Sequence, residues 1–350
     1  MKKFFRGILL IINLVFVVLM ILSTLSGTMS PEKHPNIAVL SYVCFPLMLC
    51  NVVFVIIWLC MGRWEAVVSA AAIVLRFSFW GLFFQVGGTT DVEPTEDNLK
   101  VLTFNTHSFR GRDCDEDESA GAESFYKLLD EEQPDVICMQ EIFGPRSFRD
   151  SVEARGYKYH FGCNGKRKHS QAIIFSKYPF VNVRNYEGET KFFVEVEKEG
   201  YVVRVCCVHL GSYQMDGVDL SGLDDMSKVE RDSTVDRVLG KLKATSIRHE
   251  QEWKEDVLPM LENCEVPVIL AGDFNDTPAS YIYHQVTERL TDSYVEQGRG
   301  FCTTYHGPYP AFRIDYIFHS PELQTLSYKR IKTSVSDHYP IVVQVGLRRN

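Results

Sequence analysis

Three long apolar runs open the chain. Gly7 to Pro31 contains no charged residue, and Ile, Leu, Val, Phe and Met fill most of its positions. A second uncharged run goes from Pro35 to Gly62, and a third, Trp64 to Val86, has Arg76 inside it. A helix needs roughly 20 apolar residues to cross a bilayer, so the pattern predicts three spans, at about 7–29, 37–61 and 65–86. The competing reading of the first run is a cleaved signal peptide, since Met-Lys-Lys-Phe-Phe-Arg is a suitable basic lead. Against it, the run is long for a signal core, lacks a small-x-small cleavage site and is followed by further spans.

Beyond Val86 the pattern changes. Gly87 to Asn98 reads as a linker, with glycines, a proline, four acids and no apolar cluster. A membrane domain over 1–86, a linker over 87–98 and a soluble domain over 99–350 are therefore expected. In the soluble part, short apolar runs alternate with amphipathic ones. Strands are predicted at Leu99–Phe104, Asp135–Met139, Gln171–Phe175, Tyr201–Val208, Val266–Leu270, Ile314–Phe318 and Ile341–Val345. Helices are predicted at Glu123–Glu132, within Val229–Asn263 with an interruption at Gly240, and at Ala279–Thr287. Two acidic loops stand out, Asp113–Glu118 and Asp216–Asp225. So many short strands mixed with helices argue for a single α/β domain built around sheets.

Charge sharpens the division. Residues 1–90 hold six Lys/Arg against two Asp/Glu; the other 260 hold 31 against 43, for a net charge of −8. An acidic soluble part is not an obviously basic nucleic-acid module. Lys2, Lys3 and Arg6 precede the first span and place the N-terminus in the cytoplasm. An odd number of spans then puts the soluble domain outside the cytoplasm. The ten cysteines show no CxxC or Cys/His metal spacing, and Cys138, Cys206 and Cys207 sit inside apolar runs. They read as small buried hydrophobes, which suits a reducing compartment better than this topology. The charge argument outweighs them.

Candidate chemistry lies at the strand ends. VLTF is followed by Asn105, VICM by Gln140-Glu141, RVCCV by His209 and VILAG by Asp273-Phe274-Asn275, while Asp337-His338 precedes PIVVQV. Taken singly, each has an ordinary reading as turn former, cap or structural imidazole, and Asp315 within RIDYIF could simply pair with Arg313. Together, on strand termini sharing one edge, they would converge on one site.

With these motifs the sequence resembles the endonuclease/exonuclease/phosphatase family. The matching segments, LTFNTHS, PDVICMQE, VCCVHLGSY, VILAGDFND, FRIDYIF and SVSDHYPI, fall in the family's order across residues 99–345. The resemblance implies an α/β four-layer sandwich of two mixed β-sheets flanked by helices; the apolar runs ahead of it, outside the resemblance, add an expected bundle of three transmembrane helices. It implies a Mg²⁺-dependent phosphate-ester hydrolase, with Mn²⁺ as a possible substitute. Magnesium takes oxygen ligands and keeps several waters, so one or two carboxylates suffice. By resemblance Glu141 is the main metal ligand, with Asn105 beside it and Asp337 completing or flanking the site. Asp273 orients or deprotonates the attacking water, and Asn275 positions it or a phosphate oxygen. His338 faces the phosphate and is oriented by Asp315; His209 contacts a phosphate oxygen. The general base stays open between Asp273 and His338. Where abasic-site enzymes carry an acid two residues after the first Asn, this chain has His107, an optional substrate contact. Where they carry Tyr, it has His209. Thr303-Thr304-Tyr305 could add a supporting hydroxyl.

The acidic balance and the tether to membrane lipids favour a phospholipid headgroup or a small phosphorylated molecule as substrate. An endonuclease or exonuclease at the cell surface is the alternative, with nucleic acid a possible but less favoured partner. A membrane-anchored binding domain without turnover is a third reading. It would usually have lost one of Glu141, Asp273, Asn275, Asp337 or His338, and all are present.

Overall fold

The structure, a computed structural model, describes residues 2–88, 98–110, 118–142, 146–162, 172–185, 190–213, 228–307 and 312–348. Most of the expected linker falls outside them, as do the two acidic loops apart from Glu118. The longer helices are α1 (Lys2–Leu25), α2 (Cys44–Cys60), α3 (Ala66–Leu75), α4 (Glu118–Glu132), α5 (Arg146–Glu153), α6 (Lys228–Glu252) and α7 (Tyr281–Thr287). Strands β1 to β6 are Asn98–Asn105, Val136–Gln140, Tyr159–Gly162, Ala172–Ser176, Phe180–Asn185 and Lys191–Lys198. Strands β7 to β11 are Tyr201–His209, Val268–Asp273, Asp315–His319, Leu323–Arg330 and Ile341–Leu347. The chain divides into two compact units, one of residues 1–83, 211–251 and 277–286, the other of 84–210, 252–276 and 287–350.

The first unit is helical. Two stretches, Lys3–Thr28 and Pro35–Cys60, are long and apolar enough to cross a membrane. The third expected span does not form one continuous membrane-length helix. Residues 66–75 form a helix of only 10 residues, about 15 Å long, well short of the roughly 30 Å hydrocarbon layer. Arg76 leaves helical geometry at its end, and a 3₁₀ turn over Phe77–Leu82 follows. A charged residue followed by the aromatic-rich Phe-Ser-Phe-Trp-Gly run is a poor continuation for an α-helix.

These helices bury an apolar core of Val17, Met20, Met48, Phe54 and Trp58, yet also expose many apolar side chains and bury polar ones. Phe4, Ile11, Val15, Val18, Val53, Ile56 and Val67 are exposed, whereas Asn13, Asn51 and Ser69 are buried. The buried polar groups satisfy one another. Trp58 Nε1 donates to Asn13 Oδ1 at 2.8 Å, Asn13 Nδ2 to Ser69 Oγ at 2.6 Å, and Ser69 Oγ to Asn51 Oδ1 at 2.9 Å. The network joins α1, α2 and α3, and Arg6 pairs with Glu65 at one end of it. The expected interruption at Gly240 does not occur; α6 runs through it.

The second unit is a sandwich of two six-stranded mixed sheets. One has the order β10-β11-β1-β2-β4-β3; the other runs from the short strand Thr291–Asp292 through β9, β8, β7 and β6 to β5. Each sheet holds one parallel pair near its centre, β1 with β2 and β7 with β8; every other pairing is antiparallel. Period-two alternation sorts the side chains. Leu99, Val101, Val136, Cys138 and Ile174 face Val194, Val205, Cys207, Ile269 and Ala271 across the inner layer. Leu102, Phe104, Ile137, Met139 and Phe175 face the other way and pack on Phe125, Leu129, Phe148 and Val152 of α4 and α5. The described cysteines are all free thiols.

Candidate active site

Parallel pairing puts the carboxyl ends of both strands of a pair at the same edge. Asn105 stands opposite Gln140, with Glu141 next, in one sheet. In the other, Asp273 stands between His209 on β7 and Asp315 on β9, opposite both. Gly272 permits that central position. Its φ is +146°, and an added Cβ would lie 1.8 Å from the Val208 carbonyl oxygen.

Asp273 is the hub. Its Oδ2 accepts 2.8 Å from Asn105 Nδ2, and lies 3.7 Å from His209 Nε2 and 3.9 Å from His338 Nε2. Its Oδ1 accepts the Asn275 backbone N–H at 2.8 Å. Asn105 Nδ2 also reaches Glu141 Oε1 at 3.2 Å, and His209 Nε2 stands 3.4 Å from the same oxygen. Asn105 therefore presents its amide hydrogens to the two carboxylates, while its Oδ1 accepts the His107 backbone N–H at 3.0 Å. His338 Nδ1 lies 2.9 Å from Asp315 Oδ2. Asn275 donates through Nδ2 to the Leu210 carbonyl. Asp337 binds His107, Oδ1 to Nδ1 at 2.9 Å, so these two form a pair of their own beside the hub.

Backbone conformation is unusual at several of these positions. His107, Ser108, Phe109, Glu141 and Asn275 all have positive φ, a region ordinary side chains avoid and that persists only where surrounding bonds hold it. At Glu141 the holding groups are visible. Its carbonyl accepts from the Ser108 N–H, the Thr106 hydroxyl and the Ser108 hydroxyl. Three further residues carry supporting roles: Ser336, carried in SVSDHYPI but not singled out there, and Thr304 and Tyr305 of the Thr303-Thr304-Tyr305 run. Ser336 Oγ donates to the Asn105 carbonyl and accepts the His338 N–H. Thr304 Oγ1 accepts the N–H groups of Ile314 and Asp315. The Tyr305 ring meets His338 edge-on at 5.2 Å. The small hydroxyl residues of LTFNTHS and SVSDHYPI were the available hint; only contacts between distant segments reveal what they hold.

The electrostatics follow from crowding. Burial, and then the neighbouring Asp315 charge, pushes the Asp273 carboxyl up to about 6. Burial works against a charged His338, but Asp315 and Asp273 outweigh it and raise the imidazole to about 10. The bond to Asp337 raises His107. Asp337 is held low because that bond and the nearby imidazoles outweigh its own burial.

Four carboxylates gather here, and their partners among the described residues are amides, hydroxyls and imidazoles, none of them Lys or Arg. Asp315 Oδ1 is buried without a hydrogen-bond partner. Such an excess of hard anionic oxygen suits a divalent cation. Two placings compete. Asp273, Asp315 and His338 bring ligand atoms within 4.8 Å of one another, but Asp315 already holds His338 there. Glu141, 29% exposed at its side chain, lies outside that group, with its Oε1 3.2 Å from Asn105 Nδ2 and 3.4 Å from His209 Nε2.

A sequence profile described as the Endonuclease/Exonuclease/phosphatase family matches residues 102–338, and a domain of unknown function matches residues 3–83. A Dictyostelium discoideum protein named DNA-(apurinic or apyrimidinic site) endonuclease is 22% identical over 295 residues, covering 72% of each chain. The human Nocturnin catalytic domain, solved with a bound sulfate anion, is 17% identical over 73% of this chain and 96% of its own, with a TM-score of 0.51. An endonuclease/exonuclease/phosphatase from Beutenbergia cavernae is 20% identical over 72% of each chain, with a TM-score of 0.49.

Proposed function

Because the chain belongs to the endonuclease/exonuclease/phosphatase family, whose members hydrolyse phosphate ester bonds, we propose that it is a membrane-embedded, magnesium-dependent phosphoesterase. The favoured substrate is a phospholipid headgroup or a small phosphorylated molecule. The observation that carries this reading is the meeting of Asn105, His209 and His338 on one carboxylate oxygen of Asp273, with Glu141 sharing the first two. A cation held at Glu141 would neutralise charge on the phosphoryl oxygens and acidify a bound water.

The residues divide the remaining work by charge. His338, protonated through neutral pH, donates from Nε2 to a phosphoryl oxygen and cannot serve as base. Asp273, pushed up to about 6, is ionised at neutral pH and close enough to it to accept a proton from water. Of the two candidates for general base, Asp273 is therefore the better. His209 Nε2, 3.4 Å from Glu141 Oε1 and 3.7 Å from Asp273 Oδ2, is placed to contact a phosphoryl oxygen. Asp315 fixes His338 through Nδ1, leaving Nε2 for substrate. Asn275 and Asp337 orient the neighbouring backbone and His107.

Membrane embedding rests on the apolar surface that the N-terminal helices leave exposed. A core helix of a soluble protein buries its apolar residues; here Phe4, Ile11 and Val53 are exposed while Asn13 and Asn51 are buried. Glu65 pairs with Arg6 at one end of the bundle, whereas Phe83 meets Phe45 at the start of α2, 5.1 Å between ring centroids. The third segment thus runs the length of the bundle as a broken helix. On this reading the N-terminus is cytoplasmic and the catalytic domain lies on the other side.

The Dictyostelium relative's name favours the nuclease alternative, and one assay decides. The full chain in phosphatidylcholine vesicles with magnesium is expected to release phosphorylated headgroup or hydrolyse bis(4-nitrophenyl) phosphate without nicking plasmid DNA. Nicking alone would establish the nuclease, and no hydrolysis of any ester would overturn the enzyme.

A further inference from the structure

FRIDYIF puts a cation two residues before Asp315, and the fold buries it inside the sandwich. Arg313 Nη1 donates to Asp292 Oδ2 at 2.7 Å, and the two side chains are only 1% and 2% exposed. The guanidinium lies over two rings, 4.6 Å from the centroid of Tyr294 and 4.7 Å from that of Tyr316. Asp292 belongs to the same sheet as Asp315. Its backbone stands opposite Phe318 on β9, and its Oδ1 accepts the Tyr294 N–H at 2.9 Å.

Taking both charges out of water costs about as much as their attraction returns, so such a pair is weak evidence for stability. What it can do is select one arrangement of the chain around it. Here that chain is the entry to β9, and its backbone is fastened on several sides. Tyr316 Oη lies 2.8 Å from both the Arg313 and the Asp276 carbonyl oxygens. The Phe274 N–H donates to the Ile314 carbonyl at 2.9 Å, and the Ile314 and Asp315 N–H groups donate to Thr304 Oγ1. The Tyr316 ring also meets Phe274, which stands between Asp273 and Asn275, edge-on at 5.5 Å. The segment so held ends in the carboxylate that lies 2.9 Å from His338 Nδ1.

We propose that Arg313 and Asp292 are positioning residues for Asp315. Their buried ion pair, seated on Tyr294 and Tyr316, fixes the entry to β9 and with it the carboxylate that orients His338. The inference rests on the phosphoesterase reading for its catalytic consequence. Both residues act through Asp315, so their effect on turnover exists only while that carboxylate is present.

The test uses the full chain in phosphatidylcholine vesicles with magnesium and bis(4-nitrophenyl) phosphate. Asp292→Asn combined with Arg313→Met removes both charges, so neither is left buried alone, and Asn keeps an acceptor for the Tyr294 N–H. This double variant is expected to retain its Tm and to lose about tenfold in kcat, with KM within about twofold of wild type. Added to Asp315→Asn, the same pair of changes is expected to cost nothing further. Should the double variant unfold, Arg313→Lys, which keeps a charge opposite Asp292, takes its place in the same comparisons with a smaller loss in the same direction. Amide hydrogen exchange at Ile314 and Asp315 is a readout independent of turnover, and it is expected to accelerate. If the wild type hydrolyses no ester but exchange accelerates, the phosphoesterase reading fails and the positioning of Asp315 stands. Unchanged exchange, unchanged kcat in an active protein, or the full loss repeated in the Asp315→Asn background overturns the positioning role.

Discussion

Asp315 touches no reacting atom in this scheme, yet it sets the charge of the group that does. Removing its charge lets His338 lose its proton earlier and frees the ring to turn. Asp315→Asn is expected to lower kcat by about 10²–10⁴, measured at saturating magnesium, and to move the alkaline limb of the pH profile toward neutrality. In the wild type the acid limb should rise as Asp273 ionises near pH 6, and activity should hold until His338 deprotonates toward pH 10. Linkage gives the sign for stability. The folded His338 value lies above its ordinary 6.5, so its contribution is full below that pH and is lost as pH rises toward 10. In metal-free protein, the stability difference between wild type and His338→Asn should therefore shrink over that window in urea titrations. The strand-end motifs named side chains that the fold brings together at the candidate site. Their charge states were not readable there, because those depend on which carboxylates burial forces together.

At the scale of elements, Glu141 and Gly272 show how strand ends are aimed. The left-handed Glu141 is pinned by three donors from the turn after β1. Thr106→Val with Ser108→Ala removes two of them and should raise the magnesium concentration for half-activity about 10–100-fold, while leaving far-ultraviolet circular dichroism intact. Gly272→Ala must displace the Val208 carbonyl from a 1.8 Å approach. A loss on the order of 3 kcal/mol is expected in urea denaturation. The predicted strands were those buried on both faces, where apolar runs are continuous. β3, β5, β6 and β10 escaped: YHFG is only four residues and half exposed, and FVNVRN, KFFVEVEK and LQTLSYKR mix charge or amide groups into the strand. Gly240 misled in the opposite sense. One glycine within 25 helical residues costs only about 1 kcal/mol, too little to break α6.

For the whole molecule, a cation that binds only the folded site adds stability by mass action, about 2.7 kcal/mol at a hundredfold excess over Kd. Magnesium should raise the Tm of the full chain and chelator reverse it, with Glu141→Gln abolishing the shift; an unchanged Tm in wild type would count against a cation at Glu141. The division into units also changes what a useful fragment is. Residues 211–251 and 277–286 belong with the first 83, so a protein starting at Leu99 would leave Glu250 without its Ser30 and Glu32 donors.

Local pattern determined much. Apolar length marked two membrane-length helices, buried runs marked the central strands, and polar residues after those runs marked the site, because each signal is written within a few neighbouring positions. Tertiary structure alone decided the rest: that the third apolar run breaks at Arg76, that Asn105 turns its amide hydrogens to the carboxylates, that Asp337 pairs with His107, and that α6 belongs with the helical unit. Those outcomes depend on contacts between residues tens to hundreds of positions apart, and no local periodicity encodes which distant donor will meet which acceptor.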